Sequence, residues 1–223
     1  MTRRLFSILV GPFLLATLAS VVNAQTKPRQ TDNQNWNDVQ LSVPLGKPVD
    51  FVLQGTLRNG RNITRPVDER IGIGFTFRIG KYLTVFPNYL HIDMQPFEGR
   101  RVYEERLSVA TTIKFPIGRF TISDRNTFER RLRTLAVDGT RYRNRVQVEH
   151  PIGPKEKKVS LFVADEVFYD WSVNDWVRNR LAIGVSKIVN KHFTLDLYYM
   201  RQNDGRSVPG DLNIVGSTWR FKM

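Results

Sequence analysis

The alternation of apolar and polar residues along the chain is its main structural signal. From Val177 to Val185 every second position is apolar, at Val177, Leu181, Ile183 and Val185, with Asn179 the one interruption. The positions between them carry Arg178, Arg180, Ala182 and Gly184. After Asn190-Lys191-His192 the pattern restarts, with Phe193, Leu195, Leu197 and Tyr199 set against Thr194, Asp196 and Tyr198. A period of two marks a strand whose two faces meet different surroundings. Ile71, Ile73, Phe75, Phe77 and Ile79 form the most regular run, backed by Arg70, Gly72, Gly74, Thr76 and Arg78. The same period predicts further strands through Val39–Val43, Val49–Leu57, Leu107–Phe115, Phe120–Leu132, Tyr142–Val148, Val159–Tyr169 and Val215–Phe221. Only Tyr82–Asp93 is ambiguous: two apolar sets compete for one face, and Pro87 interrupts the run.

Strands this long exceed the roughly five or six residues usual in soluble sheets. They predict an all-β fold, an antiparallel transmembrane β-barrel with an oily outer wall and a charged lumen. About eleven segments alternate, and single-chain bacterial barrels normally have an even number of strands. Twelve is therefore expected, with ten the other possibility. The breaks Gly46-Lys47-Pro48, Gly80-Lys81, Pro116-Ile117-Gly118 and Asn190-Lys191-His192 are short. The breaks between them, such as Arg58–Val67 and Gln95–Gly99, read as longer polar outer loops. Tyr82, Phe115, Phe120, Phe193, Trp219 and Phe221 cluster near the short turns, and Tyr103, Tyr142, Trp171 and Trp176 near the opposite ends. Two such girdles fit the two interfaces of a bilayer. The last strand, Val215-x-Ser217-x-Trp219-x-Phe221-x-Met223, resembles the terminal signal of outer-membrane proteins, with Met where Phe is usual.

Composition alone would suggest something else. Mean hydropathy is −0.34, a soluble-protein value, but a barrel escapes this average because its two faces cancel. One apolar run, Leu5–Val22, follows Arg3 and Arg4 and ends in Val22-Asn23-Ala24, which reads as a signal peptide over residues 1–24. Residues 25–35 read as a polar tail and residues 36–223 as the barrel, exported to the bacterial outer membrane with the signal peptide removed. The 223 residues carry a formal charge of +13 and no cysteine, so no disulfide framework exists. The basic balance does not point to nucleic acid, because the arginines alternate onto one strand face behind a secretory leader.

Several motifs carry a family resemblance: Glu105-Arg106-Leu107, the Arg-rich segment Arg125–Arg133, Asp165-Glu166-Val167-Phe168, and Asn179-Arg180-Leu181 with Gly184. They resemble the bacterial outer-membrane family catalogued as domain of unknown function 2490. The resemblance implies an outer-membrane barrel with no assigned activity and no catalytic residues to carry over.

The face opposite the oily one collects Arg70, Arg78, Arg106, Lys114, Arg125, Arg131, Arg141, Arg143, Arg145, Arg178 and Arg180, with Glu129, Glu149, Glu166, Asp170 and Asp196 among them. Two readings stand: a structural plug of ion pairs, with Asp170 facing Arg178, or a narrow anion-favouring pore. Arg58, Arg61 and Arg65 share one predicted outer loop, where they could contact lipopolysaccharide phosphates. Expected partners are outer-membrane lipid, lipopolysaccharide and the outer-membrane assembly machinery. No cofactor is expected, and no His/Asp/Glu cluster has metal-ligand spacing. A soluble periplasmic lipocalin-like barrel, oily face inward, is the alternative fold reading. A lipid hydrolase is the remaining alternative, with His91 the one histidine able to reach the outer side and Ser172 its loosest partner; the expectation is that the protein is not an enzyme.

Overall fold

Among the described residues eleven strands follow one another in sequence, each pairing with its neighbours until the last closes against the first. The structure, a computed structural model, describes residues 31–223. The strands are β1 (Thr31–Gly46), β2 (Val49–Gly60), β3 (Arg65–Ile79), β4 (Leu83–Phe97), β5 (Arg100–Ile117), β6 (Phe120–Arg133), β7 (Gly139–Ile152), β8 (Val159–Asp170), β9 (Asp175–Ile188), β10 (Phe193–Asp204) and β11 (Asp211–Lys222). The 3-10 turn Lys155–Lys157 precedes β8. The expected signal peptide and residues 25–30 lie outside the described residues.

The count is eleven, neither twelve nor ten. In a barrel with only antiparallel joints, strand direction alternates around the wall, so the number must be even. Here β1 and β11 run parallel, from Thr31 opposite Asp211 to Ser42 opposite Lys222, and one parallel joint permits an odd number. The stretch expected as tail contributes to that joint: β1 begins at Thr31, and Asn35 donates a side-chain hydrogen bond to the Val215 carbonyl across it at 3.1 Å. The long outer loops also shrink. Between β2 and β3 only residues 61–64 are left, and between β4 and β5 only residues 98–99. The polar segments flanking those turns continue the ladder, because backbone pairing needs no particular side chain.

Register fixes which side chains face out. Ile73 is 46% exposed and Ile183 56%, whereas Glu129 on the other face is 2% exposed. The lipocalin-like arrangement, oily face inward, is thereby excluded. Aromatic rings gather on the outer wall at both ends. Tyr169 packs edge-on to Trp171 and Trp176 at one end, and Phe193 stacks on Trp219 and Phe221 at the other.

The ambiguous strand β4 is apolar on both faces for a packing reason. Leu83, Val85 and Tyr89 face out, while Phe86, Leu90 and Ile92 face in. Opposite them β3 presents Gly72 and Gly74. A Cβ on Gly72 would come within 2.3 Å of Leu90, and one on Gly74 within 2.8 Å of Phe86. The missing side chains are the space that the large β4 residues fill.

The outer wall is not uniformly oily. On β6, β7, β8 and β9 it carries Asp124, Asn144, Asp165 and Asn179, each with apolar outward residues nearer the short-turn end of its own strand. They pair laterally, with Asn144 donating to Asp124 at 2.6 Å and Asn179 to Asp165 at 2.8 Å. These bonds reduce the cost of holding polar groups on an apolar surface.

Candidate functional site: the filled lumen

The inward residues form a connected network of guanidinium and carboxylate groups in the half of the barrel away from the short turns. Its centre is Phe168, 1% exposed. Four guanidinium carbons face this ring: Arg180 at 4.7 Å, Arg143 at 4.9 Å, Arg141 at 5.1 Å and Arg178 at 5.4 Å. Each cation meets the negative face of the ring and also a polar partner. Trp36 repeats the arrangement, with Arg58 stacked at 3.6 Å and Arg180 at 4.9 Å, while its indole N–H donates to Gln34 at 2.8 Å.

Around these rings the carboxylates are shared. Glu129 accepts from Arg141 at 2.6 Å and from Arg143 at 2.7 Å. Arg143 bridges onward to Glu166 at 2.6 Å, and Arg180 reaches the other Glu166 oxygen at 3.5 Å. Glu104, fully buried, accepts from Arg106 at 2.6 Å and Arg131 at 2.8 Å. Asp68 receives Arg70 through both its oxygens and lies 3.4 Å from Arg58. In a low-dielectric interior each of these charges would be costly alone, so the network holds only because nearly every group has a partner. Shared carboxylates satisfy more than one arginine, which is how a lumen with surplus cations still closes.

The predicted lumen residues all lie on the inward face, but several have partners the sequence did not indicate. Arg178 pairs with Asp204 and not with Asp170; Asp170 lies 3.8 Å from Arg131 and accepts from Ser172. Arg78 pairs with Asp50, Asp196 with Arg220, and Glu149 lies 4.0 Å from Lys114. Arg125 and Arg145 face each other across β6 and β7. Of the three arginines assigned to one outer loop, Arg58 is no loop residue: it stands on β2 and points into the lumen at Trp36. Arg61 is in the turn, and Arg65 is exposed at its edge, 3.2 Å from Glu98.

Sequence reasoning missed Trp36, Asp50, Asp68, Glu104, Phe168 and Asp204. The signal for two of them was present. Carrying the Arg70–Arg78 face one step back reaches Asp68, and carrying Arg106 back reaches Glu104. Both fall between the predicted outer loops and the alternating runs Ile71–Ile79 and Leu107–Phe115, where no apolar face marks them. His91 and Ser172 are not assembled into a site: His91 faces out and bonds Glu105 at 2.7 Å, while Ser172 caps the inward Asp170. Among the described residues no group of acidic, histidine or cysteine side chains could hold a metal ion.

A closed barrel with an apolar outer wall, aromatic ends and an interior packed with ion pairs is the architecture of a membrane β-barrel. The chain belongs to the family described as protein of unknown function (DUF2490), whose model matches residues 33–213. No curated protein matches it. Among solved structures it is similar to the NanC porin, covering 86% of this chain and 99% of that one, with 11% identity and a TM-score of 0.51. LpxR from Salmonella typhimurium matches over 78% of this chain and 83% of that one, at 9% identity and a TM-score of 0.49. The likeness to the NanC porin is one of fold.

Proposed function

We propose that this protein is an exported outer-membrane barrel without catalytic activity, closed at rest by its arginine network, with a structural role in the outer membrane. The observation that carries the reading is the packed lumen: Phe168, Glu129 and Glu104 are all at most 2% exposed inside a wall whose outer face is apolar. A small barrel filled by its own side chains leaves no continuous water path. Outer-membrane lipid surrounds the wall in this reading, the assembly machinery inserts it, and Arg61 and Arg65 lie at the level of lipopolysaccharide phosphates. Fractionation tests the location. The protein should sediment with the outer membrane and require detergent for release; recovery by osmotic shock alone would overturn it. Planar-bilayer recording tests the closure, with no conductance steps expected from the purified barrel.

A second reading, a narrow anion-favouring pore, has one observation in its favour. Below the network, Arg125 and Arg145 lack carboxylate partners within 4.0 Å among the described residues. Conductance steps that favour chloride over potassium, and lose that preference in Arg125→Gln, would establish it in place of the closed barrel.

A further inference from the structure

We propose that the half of the lumen nearer the short turns holds one phosphate-class oxyanion between Arg125 and Arg145. The two residues are direct partners across β6 and β7. Like charges opposite one another in an antiparallel pair destabilise it. Elsewhere in the lumen such crowding is relieved by a shared carboxylate, as Glu129 does for Arg141 and Arg143. Here it is not. Arg125 has no ion pair or hydrogen bond from its guanidinium among the described residues. The one hydrogen bond from the Arg145 guanidinium goes to Gln147 at 2.9 Å.

The nearest acid does not fill the gap. Glu166 is the other cross-strand neighbour of Arg145, but its oxygens pair with Arg143 at 2.6 Å and Arg180 at 3.5 Å and make no ion pair with Arg145 or Arg125. Two guanidinium forks with free N–H donors match the oxygens of a tetrahedral dianion, which a single lysine ammonium would not do. The site also has room for a ligand. The Arg125 side chain is exposed, and small hydroxylated residues are among the inward residues around and below it: Thr112 directly opposite on β5, Ser123 on β6, and Ser160 and Ser186 paired across β8 and β9, with Gln147, Lys114 and Glu149 beyond them toward the short turns. Hydroxyls can complete the hydrogen bonding of a bound oxyanion, and low-dielectric walls strengthen the attraction of the cations.

The inference requires an enclosed lumen but not a conducting or a silent one, so a bilayer result does not bear on it. The test uses the full chain purified in zwitterionic detergent, titrated with inorganic phosphate in a calorimeter against chloride of equal ionic strength. One binding site is expected, with affinity reduced at least tenfold in Arg125→Gln and in Arg145→Gln. Thermal melting gives a second readout that does not need tight binding. In chloride Arg125→Gln should melt above the wild type, because repulsion is relieved; in phosphate the order should reverse, because the ligand is lost. Equal phosphate affinity in wild type and both variants, or the same melting order in both buffers, would overturn the proposal. Failure of the membrane reading would appear separately, as a chain recovered without detergent.

Discussion

Replacing Glu129 by glutamine removes one negative charge from the centre of the lumen while keeping the side chain's size. Three arginines surround that carboxylate: Arg141 at 2.6 Å, Arg143 at 2.7 Å and Arg106 at 3.8 Å. They are not equally dependent on it. Arg143 keeps Glu166 at 2.6 Å and Arg106 keeps Glu104 at 2.6 Å, but among the described residues Glu129 is the one ion-pair partner of Arg141. The substitution therefore strands one guanidinium that is 6% exposed. Breaking a buried pair by removing one partner costs about 3–5 kcal/mol. With a urea slope of ~3 kcal/mol/M, the unfolding midpoint falls by roughly 1–1.7 M. The measurement is urea unfolding in detergent micelles followed by tryptophan fluorescence. Glu105→Gln is the control: that carboxylate is 40% exposed on the outer wall, bonded to Tyr89 and His91. Adding Arg141→Met to Glu129→Gln should restore most of the loss, because an apolar side chain of similar volume leaves no orphaned charge. The reasoning is refuted if Glu129→Gln lowers the midpoint no more than Glu105→Gln does.

Three further outcomes follow from the packing. Phe168→Ala removes the ring that four guanidiniums face and should cost about 3–5 kcal/mol, read by the same unfolding curves. Gly216→Ala places a Cβ within 2.2 Å of the Tyr198 ring, so the ring must move; a loss of about 1–3 kcal/mol is expected, with a changed near-ultraviolet dichroism signal. The double variant Asp165→Val, Asn179→Leu removes a polar pair from the oily wall together, leaving neither partner unsatisfied. It should stabilise the barrel by about 1 kcal/mol in micelles, and a lower midpoint would mean that this patch is not facing lipid.

Much of the wall was legible because a strand reports its two faces directly. Ile71–Ile79 and Leu107–Phe115 alternate without error, so their outward faces follow from parity alone. The same parity carried the arginines inward. It failed on β4, where Phe86, Leu90 and Ile92 fill the space over Gly72 and Gly74; that match lies between two strands and neither strand shows it. Loop boundaries failed for a related reason. Polar residues end an apolar face but do not end a backbone ladder, so Asp68 and Glu104 fall outside the alternating runs while pairing continues past them.

By itself, the order of residues determined that this chain makes long two-faced strands, oily on one side and arginine-rich on the other. It also determined the family resemblance that the matched family model bears out. Only the tertiary structure decided how many strands close the ring, and that β1 and β11 meet in parallel, since closure depends on where the two ends of the chain meet. It alone decided which acid holds which arginine. Arg178 chose Asp204 on the next strand over Asp170 on the previous one because side chains in a lumen meet across the sheet's register and its interior, where sequence separation carries no information.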